Sequence, residues 1–301
     1  MNFEFEKMQK EMHAYIKQHE GEKELEELMQ DFVAQYNAHL PAPVTPQNAK
    51  TADDYVQLAE ESTDDGTRSR YAEKALQLDP DNLDAERFYI FSTTNDPIEL
   101  LRKLDQAIEH GKRVLKSKGL MDEESIGLYW GILETRPYMR LQGSYVDLLL
   151  ASGMMRRAAE ECREMLRLCE RDNLGIRYRL MHIHAYFEDE KAALELWEER
   201  EKEMSTQMLL PLSVLYFKLF NLDEARKYLD MLAEVNRDTK KFFRHIRQGK
   251  LKQDQENMFP MGYQMDSIEE LITVIDAHSF LYSGVVPYFI WADRQLIREK
   301  K

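Results

Sequence analysis

Nine arginines and no lysine fall between Leu128 and Phe187: Arg136, Arg140, Arg156, Arg157, Arg163, Arg167, Arg171, Arg177 and Arg179. A planar guanidinium grips a carboxylate or phosphate through two parallel bonds, which a lysine ammonium cannot do. The same window holds seven acids, Glu134, Asp147, Glu160, Glu161, Glu164, Glu170 and Asp172. It is therefore +2 inside a chain of net charge −14, and the remainder is −16. Two roles are open to these arginines. They pair with the seven acids inside the fold, the role that suits Arg156, Arg163 and Arg167, or they meet a carboxylate ligand, for which Arg136, Arg140 and Arg177 are equally placed. Tyr138, Tyr178 and His182 would sit beside them, and a tyrosine ring stacked on a guanidinium holds it ready for a ligand.

Other chemistry is less well supported. His182 and His184 are two residues apart, so on a helix they point to different faces and cannot chelate one metal as an i, i+4 pair could. One would pack or hydrogen-bond and the other would be exposed. Glu134 could serve as a general acid, but Arg136 lies two residues on, and the pair reads as structural. No phosphate-binding glycine loop, dinucleotide fingerprint, nucleophile elbow or zinc-protease signature occurs. Cys162 and Cys169 lie seven apart on one predicted helix and form no zinc or redox motif. The expectation is a protein with no metal, no cofactor and no reaction of its own.

Net charge −14 repels a phosphate backbone and an anionic bilayer, so neither nucleic acid nor membrane is an expected partner. Residues 1–7 lack a basic start followed by an apolar stretch. The longest apolar run, Phe280 to Trp291, is broken by Ser283, Gly284 and Pro287 and is too short to span a bilayer. Two thiols without a disulfide framework fit a reducing compartment. The expected location is cytoplasmic.

The elements that position these residues read as helices throughout. Gly (12) and Pro (9) are scarce, and Glu, Lys, Leu, Ala, Met and Arg, which lose little rotamer freedom in a helix, dominate. In the first 40 residues Leu25, Leu28, Met29 and Phe32 form one apolar stripe at helical steps. Pro41, Pro43 and Pro46 then impose an extended linker. Beyond it, helical segments of about a dozen residues alternate with turns at Asp64–Gly66, Asp79–Asn82, Ser152-Gly153 and Asn173–Gly175. Ala158, Ala193 and Ala225 recur at separations of 35 and 32, and Ala72 and Ala107 at 35, which brackets the roughly 34-residue tetratricopeptide period. A small residue on a second helix lets its first helix approach closely. Cys162, Trp197 and Leu229, four places later, would fill the groove beside it.

Between Ala107 and Ala158 the separation is 51, an insert of about half a repeat. It carries Leu128-Tyr-Trp-Gly-Ile-Leu-Glu-Thr-Arg-Pro-Tyr-Met-Arg140. With Arg171-Asp-Asn-Leu-Gly-Ile-Arg-Tyr178, Tyr263 and Ser267-Ile-Glu-Glu-Leu271, that string resembles the tetratricopeptide proteins of the suppressor-of-tumorigenicity-7 family, on the side of its bacterial relatives. The resemblance runs loosely over about residues 50–290 and implies a scaffold or adaptor without chemistry. A chaperone-tail clamp would need a Lys and an Asn where this chain has Gly143 and Asp147. The combined expectation is an all-α fold, a tetratricopeptide-like helical-hairpin solenoid. It has an acidic helical region over 1–40, a linker over 41–50, a repeat array over 51–250 and an aromatic cap over 251–301. The expected function is a protein–protein interaction scaffold that takes a peptide or partner of acidic character in a concave groove containing Arg136, Tyr138, Arg140, Arg177, Tyr178 and His182. A receptor for a small signalling peptide is the second possibility and an enzyme the third. Oligomeric state is not written in the sequence.

Overall fold

The structure, a computed structural model, describes residues 3–256, 258 and 262–297. Among them the fold is all-α, with seventeen α-helices, one short 3-10 turn and no strand. None of these helices is long and apolar enough to cross a membrane.

The chain divides into two compact units. The first comprises Met1–Leu148 with Arg167–Arg171, and the second Leu149–Leu166 with Asp172–Lys301. The first unit begins with α1 (Phe3–Gln18) and α2 (Leu25–Ala38), which pack as a hairpin. Leu28 and Phe32 of the apolar stripe are buried, but Leu25 and Met29 are exposed because α2 packs chiefly on α1 and covers only one edge of the stripe. Residues 39–51, with their three prolines, contain no helix. Four helices follow: α3 (Ala52–Glu61), α4 (Asp65–Leu78), α5 (Leu83–Thr93) and α6 (Pro97–Ser117).

Local chemistry sets these boundaries. Thr51 opens α3 with a reciprocal capping box to Asp54. Asp64, Asn82 and Asp96 each accept a backbone N–H three residues on, from Thr67, Ala85 and Glu99. Each satisfies a donor that the helix start leaves without a partner. Val56, Ala59, Ala72, Ala75, Ala85 and Phe88 form a core of small residues between α3, α4 and α5. Helix α3 touches both α4 and α5.

The insert after α6 pairs with residues 168–170. The Tyr129 N–H donates to the Leu168 carbonyl at 3.0 Å and the Glu170 N–H to the Gly127 carbonyl at 3.0 Å. Cys169 therefore lies in this bridged segment, just past a helix that ends at Leu168, and not on the helix itself. The buried Tyr129 hydroxyl donates to the Leu120 carbonyl at 2.7 Å. A 3-10 turn over Leu133–Thr135 leads into α7 (Arg136–Ala151).

The second unit contains α8 (Met155–Leu168) up to Leu166, α9 (Ile176–Phe187), α10 (Glu190–Glu199), α11 (Thr206–Lys218), α12 (Leu222–Val235) and α13 (Thr239–Arg247). It continues with α14 (Leu251–Glu256), α15 (Ile268–Ala277), α16 (Ser279–Tyr282) and α17 (Val286–Ile297). Helix α11 is its centre: every residue from Met208 to Tyr216 is buried. A helix apolar on all sides needs neighbours on all sides, and α9, α10, α12 and α15 supply them. All five spaced alanines are fully buried, as are Cys162 and Leu229. At Ala225 the contact is close enough for the Ser213 hydroxyl of α11 to donate to the Ala225 carbonyl of α12 at 2.8 Å.

Candidate functional site

The arginine window is distributed over both units. In the first unit, Arg136 and Arg140 lie one turn apart at the start of α7. Arg140 is buried, and its guanidinium is held on two edges. Nε donates to Asp84 Oδ1 at 2.8 Å and Nη2 to Asp84 Oδ2 at 2.5 Å, while Nη1 donates to Glu6 Oε1 at 2.7 Å. Burial opposes the charge on Arg140, but Asp84 and then Glu6 outweigh it and push the pKa above the ordinary arginine value. Arg136 donates to the Trp130 carbonyl at 2.8 Å, to Gln9 Oε1 at 2.9 Å and to Glu6 at 3.5 Å. The Glu134 partner expected from sequence is displaced, because the 3-10 turn leaves Glu134 exposed while Arg136 turns to α1.

Asp84 sits at the start of α5, and Arg87, one turn further, lies 3.6 Å from it. Arg87 packs over the Phe88 ring at 4.3 Å, and its buried Nε has no hydrogen-bond partner. Burial lowers its pKa, Asp84 and Glu60 act against that, and the neighbouring Arg140 adds to it. Three guanidinium groups thus converge on two buried carboxylates.

Helix α1 spans this cluster and α3. Phe3 meets Phe88 with ring centroids 6.3 Å apart, and Arg140 lies over the Phe3 ring at 5.1 Å. On the opposite flank Lys7 reaches Asp54 at 2.6 Å and Lys10 reaches Asp53 at 2.7 Å. Burial would raise the Asp54 pKa, but Lys7 and the Lys50 and Thr51 amides hold it far below the usual carboxylate range. A cleft of about 250 Å³ runs beside α1, lined among others by Phe3, Lys10, Asp81, Lys118 and Arg140. Tyr138 is not part of this surface. It is buried against α6, where its ring edge occupies the space a side chain at Gly111 would need.

The second unit holds Arg177, Tyr178 and His182. Asp172 adopts a left-handed conformation (φ 47°), which a short polar side chain tolerates. It accepts the Ile176 and Arg177 amides at 2.7 and 3.0 Å, doing the capping that Gly175 cannot. Asp172 also takes Arg177 Nη1 at 2.9 Å, Glu203 takes Nε at 2.8 Å, and the Tyr178 hydroxyl takes Nη2 at 2.5 Å. Tyr178 then donates to Glu203 at 2.6 Å, and its ring lies 4.0 Å from the guanidinium. Burial and then Glu203 raise the Tyr178 pKa; Arg177 and then Tyr178 hold the Glu203 carboxyl down against burial.

Neither histidine is exposed. His182 and His184 are both buried because α9 is covered by α10, α11 and α16. His182 donates from Nδ1 to the Tyr178 carbonyl at 2.7 Å, which leaves Nε2 to accept the Tyr282 hydroxyl at 2.9 Å. Its ring stacks on His278 at 3.6 Å, nearly parallel. Burial, and then His278, lowers the His182 pKa well below its ordinary value. Among the described residues, no three His, Cys, Asp or Glu side chains come together as a metal site.

No family model and no curated protein matches this chain. The residues that sequence reasoning missed, Glu6, Asp84, Glu203 and His278, are the partners of those it singled out. Their partners lie between 25 and 134 positions away, and no local pattern marks them.

Proposed function

We propose that the chain is a tetratricopeptide-type helical scaffold that holds a partner peptide or helix against the face formed by α3, α5 and the start of α7, with Arg136 and Arg140 meeting its carboxylate. The observation that carries the reading is the contact of next-but-one helices. Helix α3 touches α5 as well as α4, and α9 touches α11 as well as α10. Such contacts are those of a solenoid, in which first helices lie side by side and line one face. The buried alanines at repeat spacing support the same arrangement, as does the resemblance of residues 128–140 to the suppressor-of-tumorigenicity-7 family. The reading assigns the chain no reaction and a cytoplasmic setting.

A scaffold is favoured over a receptor for an enclosed small ligand by size. The arginine-lined cleft beside α1 measures about 250 Å³, below the roughly 300–1,000 Å³ of small-molecule pockets, and the larger cavity of the second unit, about 550 Å³, contains neither Arg136, Arg140 nor Arg177 in its lining. The test is selection of helical peptides from a displayed library on the full chain. Enriched sequences should carry a carboxylate and lose roughly tenfold or more in affinity for Arg136→Ala, the 1.4 kcal/mol or more that a charge-assisted hydrogen bond supplies. Enrichment of sequences indifferent to that change would refute the groove.

A further inference from the structure

The carboxylate that Arg136 and Arg140 meet belongs to the chain's own first helix. We propose, building on the scaffold reading, that α1 is a displaceable internal occupant of the groove. The external partner it stands in for is then a helix of the same chemistry: an aromatic residue, a glutamate three positions later, and lysines four and seven positions after the aromatic.

Charge argues for the pattern. One bank of the groove is acidic, with Asp53 and Asp54 on α3; the other is basic, with Arg136 and Arg140 on α7. Helix α1 matches both. Glu6 and Gln9 face the arginines, while Lys7 and Lys10 face the aspartates. Phe3 sits at the end where Phe88 and Arg140 form an aromatic and cationic seat. Glu6 is the carboxylate shared by Arg136 and Arg140; Asp84 is shared by Arg140 and Arg87, with Glu60 further out. A groove without Glu6 favours another carboxylate in its place.

Helix α1 is held at few buried points. Its single buried residue is Glu6. Phe5 points outward, 51% exposed. The Lys10–Asp53 pair is exposed, and such a pair contributes little and weakens with salt; the Lys7–Asp54 pair, with Asp54 buried, is the firmer of the two. The two bonds from Arg140 to Asp84 do not involve α1, so part of the groove's frame is independent of its occupant. The proline-containing segment after α2 ties α1 to the groove without a helix, and so keeps a released α1 close by.

The probe is a fluorescently labelled synthetic peptide of residues 1–20, titrated against the full chain and against the full-length Lys7→Glu/Lys10→Glu variant. In the variant, repulsion from Asp53 and Asp54 should free α1 while leaving the buried groove intact, checked by helicity and melting. Trypsin cutting after Lys17 reports release. The variant should be cut faster and should bind the peptide roughly tenfold or more tighter than wild type, as expected when the wild-type groove is open in about a tenth of molecules. A Glu6→Ala peptide should lose that binding. If α1 stays protected and peptide binding is equal in both proteins, α1 is a fixed part of the fold and this inference fails, while the library selection still tests the scaffold reading. If α1 comes free and the peptide does not bind, the groove reading fails with it.

Discussion

Replacing Arg140 with Met tests whether the cluster at the start of α7 is an organising element of the first unit. Arg140, Asp84 and Glu6 are each nearly excluded from water, with side chains 4%, 4% and 10% exposed. The change removes two hydrogen bonds to Asp84 and one to Glu6, and leaves Asp84 with Arg87 at 3.6 Å as its remaining ion pair. Breaking a buried pair by removing one partner costs about 3–5 kcal/mol, because the other charge stays buried without compensation. For a unit of this size, each kcal/mol moves the melting temperature by roughly 2–4 °C. The melting temperature of this unit should therefore fall by about 6–20 °C, read by circular dichroism, with urea denaturation reading the loss in stability. Glu6→Ala should cost less, roughly 1.5–3 kcal/mol, the range for a hydrogen bond to a charged group, since Arg140 retains Asp84. The cycle of Arg140→Met with Asp84→Leu should show coupling of roughly 0.5–3 kcal/mol, because the second change removes the carboxylate stranded by the first. A loss below about 1 kcal/mol for Arg140→Met, in the range of an exposed pair, would refute the argument.

Three further outcomes are expected. Gly111→Ala should destabilise by roughly 1–3 kcal/mol despite the better helix propensity of alanine, because its Cβ would meet the Tyr138 ring at 2.6 Å and Leu83 at 3.1 Å; a gain in thermal stability would contradict that packing. Ala193→Leu should overpack the α10 contact by roughly 1–3 kcal/mol, and an unchanged melting temperature would contradict the register. Burial and His278 lower the folded pKa of His182 below 6.5, so the unfolded state takes up the proton first, and stability is present above that pH and lost below it. Stability should therefore fall between pH 7.5 and pH 5 through His182. His184, pushed down to about 4 by burial and then Arg163, should add to it. Urea curves for His182→Gln should show a correspondingly shallower acid limb, and an identical limb would remove His182 as the cause.

Helicity, turns and repeat spacing were legible from the chain alone because they rest on short-range physics. Propensity, proline exclusion and side-chain caps act within four residues of one another. Asp64, Asn82 and Asn221 begin helices through their own side chains, and the alanines are buried where spacing placed them. The arginine window was legible as composition, and its preference for carboxylates followed from guanidinium geometry. Which carboxylates it meets was not. Glu6 reaches Arg140 across 134 positions, and nothing around Glu6 distinguishes it from its acidic neighbours. The histidines were misjudged for the same reason: two residues on opposite faces of a helix are both buried when helices pack on both faces, which only the tertiary arrangement decides. Local sequence determined where the helices start, stop and turn. Long-range packing decided which charges neutralise one another, because burial in a low-dielectric interior selects partners by position in space and not by distance along the chain.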